Sequence, residues 1–130
     1  MTIYFYTTAD DYGFLCNFAP YGVAFDGLYW PTVEHYFQAQ KFPEFPAHQA
    51  QIARVKIPKQ AKALGWERSV KLRSDWETVK DAVMKTALFK KFQTHSKIRE
   101  RLLATATEDL VENAPGDYSW GCGADGSGQN

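Results

Sequence analysis

Four prolines, at positions 31, 43, 46 and 58, cut the middle of this chain into short pieces. Proline removes a backbone N–H and clashes with the preceding turn, so it opens or ends a helix rather than sitting inside one. Any helices here must therefore be short. Thr32 follows Pro31 as a candidate cap, which predicts a helix from Val33 to about Phe42, stopped by Pro43. Pro46 and Pro58 bracket a second piece around Ala47 to Arg54. Pro58 itself suits the first turn of a third helix, which Gly65 closes.

Outside that stretch the signals change. Thr2 to Thr7 is β-branched and aromatic and reads as an opening strand. Asp26-Gly27 stands between two apolar runs, a strong hairpin signal. Ser74-Asp75-Trp76-Glu77 has the form of a capping box, with Trp76, Val79, Val83, Ala87 and Leu88 recurring at helical spacing behind it. Ser96 can cap a further helix carrying Ile98, Leu102 and Leu103. Asp109 to Glu112 is strand-like and precedes a glycine-rich tail. With 130 residues the chain is expected to form one α+β domain, helix-rich with a small antiparallel sheet.

Composition narrows the function classes. Fifteen basic residues balance fifteen acidic ones, which excludes a strongly basic nucleic-acid coat and a polyacidic tail. Nine Phe, seven Tyr and four Trp make 15% of the chain aromatic, enough for a dense small core and for a pocket that stacks planar ligands. Cys16 and Cys122 have neither zinc-site nor disulfide-framework spacing. No apolar run reaches membrane-spanning length, and the N-terminus lacks signal-peptide character, so a cytoplasmic location is expected.

The candidate chemistry sits in two places. Glu34, Gln38 and Lys41 fall at i, i+4 and i+7 of the first helix, a purely polar stripe beside the mostly apolar side of Val33, Tyr36, Phe37 and Gln40. Spacing alone leaves two readings: a solvated ion-pair ladder, or the acid/base lining of a cleft. The second place is Asp117-Tyr118-Ser119-Trp120-Gly121-Cys122-Gly123. It is either a surface turn with one Trp tucked inward or a loop that brings backbone close to a ligand. Trp76 reads as a core residue or as a ring over a pocket mouth. His35, His48 and His95 are dispersed, and neither a phosphate loop nor a nucleophile elbow occurs, so no metal or cofactor is expected.

Several ordered blocks together resemble the NADAR, or YbiA-like, family. They are Cys16-Asn17-Phe18-Ala19-Pro20, the run Trp30 to Phe42, Leu72 to Trp76 with Lys80 and Met84, Lys91-Phe92, Leu102 to Thr105, Leu110-Val111-Glu112 and Asp117 to Gly123. The resemblance implies an N-glycosidase that hydrolyses the C–N bond between a phosphorylated ribose and an amine or heterocycle. Ribosylamino-pyrimidine intermediates of riboflavin synthesis are one such substrate, and ADP-ribosylated guanine in nucleic acid is another. It further implies Glu34, Lys41 and Asp117 as catalytic residues, with Lys41 able to form a Schiff base with ring-opened ribose. Trp76 and Trp120 would stack on the substrate, Asn17 and Arg73 would contact its polar groups or phosphate, and Phe18, Tyr36 and Gly121 would complete the binding set.

A binding module that holds ADP-ribose without cleaving it is the alternative from another class. Zero net charge favours the small substrate over nucleic acid, although Lys56, Lys59, Lys62, Arg68 and Lys71 form a locally basic stretch. Two departures from the family pattern stand out. Cys16 occupies the usual Ser position, and the chain stops at Gly128-Gln129-Asn130, where the family is expected to continue through an apolar segment.

Overall fold

The computed structural model describes residues 2–5, 13–25, 27–105 and 109–112. The chain divides into two compact units, one formed by residues 1–19 with 97–130 and the other by residues 20–96. Asp117, Trp120 and Gly121, which carry half of the expected chemistry, lie outside the described residues, as does Asp26.

In the first unit, strand β1 (Thr2–Phe5) pairs in parallel with the last strand, Asp109–Glu112, with Thr2 opposite Asp109 and Phe5 opposite Glu112. The two strands meet from opposite ends of the sequence, a pairing that no local pattern announces. A single 3₁₀ turn, Gly13–Leu15, buries Phe14 and leads into buried Cys16. The helix Ser96–Ala104 buries Ile98 and lays Arg101 over the Phe14 ring at 4.3 Å.

The second unit opens with the hairpin β2 (Val23–Phe25) and β3 (Leu28–Trp30), antiparallel, with Val23 opposite Trp30 and Phe25 opposite Leu28. Gly27 in its turn has φ 78°, left-handed backbone that glycine adopts without steric cost. The prolines then act as their positions predict. Helix α1 (Val33–Ala39) is capped by Thr32, whose side chain accepts from the His35 N–H. Helices α2 (Pro46–Arg54) and α3 (Pro58–Gly65) each carry their proline in the first turn.

Helix α1 is shorter than the sequence suggests. Beyond Ala39 the bonds tighten to Lys41 N–H on Gln38 O and Phe42 N–H on Ala39 O. Lys41 thus stands on a 3₁₀-like tail. All seven residues of α1 are buried, and the helix packs against α2, α3, β3 and the later helix α4 (Trp76–Thr94).

Helix α4 (Trp76–Thr94) departs from its expected start. The capping box does not form: Asp75, not Ser74, holds the N-cap position, and its side chain caps nothing. Both carboxylates have other partners, Asp75 a two-point pair with Arg73 and Glu77 an ion pair with Lys80 at 2.7 Å. The buried stripe of α4 is Trp76, Met84, Ala87 and Lys91, rotated slightly from the expected one; Val79, Val83 and Leu88 are half-buried. The fold is α+β and helix-rich with a small antiparallel sheet, and α5 (Ser96–Ala104) and β4 (Asp109–Glu112) complete its elements.

Candidate active site

The polar stripe of α1 does not face water. Glu34 is 7% exposed, Gln38 3% and Lys41 5%. A solvated ladder is thereby excluded, because burying charged and amide groups without compensation costs several kcal/mol on the order of the transfer values for such groups. The Gln38 amide donates from Nε2 to Glu34 Oε1 at 2.7 Å, fixing one carboxylate oxygen. Its own Oε1 is buried without a hydrogen-bond partner and lies against Gly65, where any Cβ would collide with it. Glycine at the end of α3 thus lets two helices approach closely enough to wedge the amide against the carboxylate.

Lys41 lies between two indoles. Its Nζ is 4.9 Å from the Trp66 ring centre and 5.7 Å from that of Trp76. Its pKa is lowered to about 8, chiefly by burial and then by Arg68, with Glu34 pulling it up, Lys62 adding to the lowering and Glu77 opposing it. At pH 7 roughly a tenth of Lys41 is then the neutral amine, against a negligible fraction for a lysine in water. Trp76 is buried, packs edge-on to Phe37 at 5.0 Å and forms one wall of this cage. It is thus packed in the core, one of the two readings the sequence left open, with its ring turned to Lys41 as well.

Other expected site residues fall elsewhere. Tyr36 is stacked on Phe25 at 4.5 Å and edge-on to Trp30 at 5.8 Å, in the cluster under the hairpin. Arg73 donates Nε and Nη2 to the two oxygens of Asp75, at 2.6 and 3.0 Å, and Nη1 to Gln40 O at 3.4 Å. Its backbone N–H also bonds Lys41 O. The Arg73 fork is thus committed to tying the loop before α4 onto the end of α1. Asn17 and Phe18 are half-buried in the first unit, directly after its 3₁₀ turn.

Two neighbours of Lys41 were not marked as site residues by the sequence: Trp66, 59% exposed, and Arg68, whose guanidinium lies 5.0 Å from the same Trp66 ring. A Trp just past a helix end carries no signal of which way it faces, and Arg68 stood out only as part of a basic stretch.

His35, by contrast, is a structural residue. Its Nε2 meets Val55 O at 2.9 Å, and a carbonyl only accepts, so Nε2 carries the proton. Nδ1 then accepts from the Thr32 hydroxyl at 2.8 Å. Burial pushes the His35 pKa down, and the ring clamps the start of α1 to the end of α2 as a neutral imidazole. Among the described residues no group of three or more His, Cys, Asp or Glu could hold a metal ion, and no helix is long and apolar enough to cross a membrane.

A buried carboxylate, an amide fixing it and a lysine of lowered pKa form an acid/base and nucleophile pair suited to covalent or hydrolytic chemistry. The chain belongs to the NADAR family, whose domain matches residues 4–130. It is 48% identical to an N-glycosidase of Nostoc punctiforme across the whole chain, covering 85% of that protein. It is equally 48% identical to the N-glycosidase YbiA of Escherichia coli over 98% of the chain and 79% of YbiA. The solved NMR structure of YbiA superimposes with a TM-score of 0.88 over the whole chain and 79% of its own length. A riboflavin biosynthesis protein of Vibrio vulnificus is 38% identical over 98% of the chain, which spans 35% of that larger protein.

Proposed function

We propose that this chain is an N-glycosidase that works without a metal, hydrolysing the C–N bond between a phosphorylated ribose and a heterocyclic amine. Ribosylamino-pyrimidine intermediates of riboflavin synthesis are the substrate class, and the cytoplasm is the setting. The single observation that carries the reading is Lys41, caged by two indoles with a pKa of about 8 beside buried Glu34. The names of the relatives support the reaction class, and the Vibrio vulnificus protein supports the substrate class. The family match runs through both units, in keeping with one functional domain.

The chemistry follows from charge. Opening the ribose ring breaks the bond from C1 to the ring oxygen, which leaves as a hydroxyl, and makes C1 the carbon of a protonated imine to the heterocycle's nitrogen. A fixed carboxylate such as Glu34 stabilises that positive charge. Neutral Lys41 adds through Nζ to C1 of the ring-opened sugar. The bond from C1 to the heterocycle's nitrogen breaks as that nitrogen takes a proton, leaving an imine on Lys41. Water then hydrolyses the imine, releasing the sugar phosphate and restoring the amine. Glu34 activates that water, following the logic of paired carboxylates in glycoside hydrolysis. Asp117 is proposed as the second carboxylate, and Trp76, with Trp120, Asn17, Phe18 and Gly121, as substrate contacts.

The test is base release from a phosphorylated ribosylamino-pyrimidine in a chelator-treated preparation, run in parallel with an oligonucleotide bearing ADP-ribosylated guanine. Release from the pyrimidine, lost in Glu34→Gln, is expected. Release from the oligonucleotide alone would move the substrate to nucleic acid. A folded protein that binds ADP-ribose and releases no base from either would be a binding module.

A further inference from the structure

Arg73 is held by Asp75 and Gln40 O, and the other arginine near the site, one whose charge acts on Lys41, is Arg68. Its guanidinium is exposed, lies 5.0 Å from the Trp66 ring centre, and reaches Gly65 O only at 3.5 Å through Nη1. Among the described residues no carboxylate lies within ion-pair distance of it. Glu67, its neighbour in sequence, accepts from the Ser69 N–H at 3.1 Å. Lys62, exposed on the last turn of α3, adds a second positive charge close enough to act on Lys41. The carboxylates that face Lys41 are Glu34 on α1 and Glu77 on α4, and Glu77 is already paired with Lys80.

We propose that Arg68, seconded by Lys62, is the subsite for the phosphate monoester of the substrate, set against the same Trp66 ring as Lys41. Lys41 Nζ and the Arg68 guanidinium each lie within 5.0 Å of that ring's centre, so the attacking nitrogen and the anion-binding group are one indole apart. A pentose 5-phosphate has the same design, with a reactive C1 at one end and a dianion at the other. Arginine suits the anion end because its planar fork donates two parallel hydrogen bonds to phosphate. The identity of the anion as a sugar phosphate rests on the N-glycosidase reading.

The experiment is calorimetric titration of the whole chain with ribose 5-phosphate and, separately, with ribose. Wild type is expected to prefer the phosphorylated sugar. Arg68→Gln should reduce affinity for ribose 5-phosphate by about tenfold to a hundredfold, the value of a charge-assisted hydrogen bond or two. Its affinity for ribose should be unchanged. Arg68→Lys should recover part of the loss, and Lys62→Gln should show a smaller one. Because Arg68 is exposed, the variants should fold, and circular dichroism checks this. Ribose 5-phosphate binding that is the same in wild type and Arg68→Gln overturns the subsite. So does a wild type that shows no preference for the phosphate. Base release by wild type is scored separately: release without an Arg68-dependent phosphate preference sinks the subsite alone. An Arg68-dependent preference without release keeps the anion site and sinks the glycosidase.

Discussion

Two sides of helix α1 bury polar groups, and they bury them differently. On one side His35 has both ring nitrogens occupied, by Thr32 and by Val55 O. On the other, Gln38 Oε1 has no partner, and Lys41 faces two aromatic rings with no carboxylate within ion-pair distance among the described residues. A satisfied buried polar group rigidifies; an incompletely satisfied one stores reactivity at a cost in stability. Adjacent positions on one short helix, Glu34 and His35, thus face different surroundings.

The comparison is sharpened first by Glu34→Gln, which keeps shape and removes charge. Base release should fall on the order of 10³-fold with the fold intact, since electrostatic stabilisation of developing charge is worth about that much. Near-normal turnover, measured by steady-state kinetics, would break the chemical side of the contrast. On the structural side, His35→Ala should lower stability in urea by about 2–3 kcal/mol, having removed two buried hydrogen bonds and a packed ring. Activity per folded molecule should change little.

Because the folded-state pKa of His35 is depressed, the unfolded chain takes up its proton first as pH falls below about 6.5. The His35 contribution is therefore present above pH 6.5 and declines on acidification, a slope that His35→Gln should flatten.

Lys41→Met should show the opposite trade. Activity should be lost while stability at pH 7 rises, by on the order of 1–3 kcal/mol, because the variant no longer buries an ammonium. The sign follows from the depressed pKa. Between about 8 and 10.5 the unfolded chain holds the proton and the folded chain does not, so wild-type stability rises with pH through that window. The advantage of Lys41→Met should shrink over the same range in paired denaturation curves. Gly65→Ala acts on the site indirectly. Its methyl group must displace the Gln38 amide, costing about 1–3 kcal/mol and reducing kcat more than it changes KM.

What the sequence made legible was local. Prolines at helix starts, the Thr32 cap and the Gly27 turn all act through bonds between near neighbours, so α1, α2, α3 and the hairpin lie close to their expected places. The capping box failed for an equally physical reason: Asp75 and Glu77 had competing partners in Arg73 and Lys80. The parallel pairing of β1 with β4 joins residues more than a hundred positions apart, and nothing local encodes it. In the site, Glu34 and Lys41 were visible as a stripe, but its burial depends on Gly65, Trp66 and Trp76 arriving from other elements. For the same reason the pairing of Arg73 with Asp75 was not legible in the sequence.

The most direct test is an NMR titration of Lys41, with the ammonium-adjacent carbon labelled and Lys41→Met used to assign the signal. A midpoint near 8 is expected, well below the other lysines of the chain. A midpoint near 10.5 would show an ordinary solvated ammonium and contradict burial as the source of a neutral nucleophile.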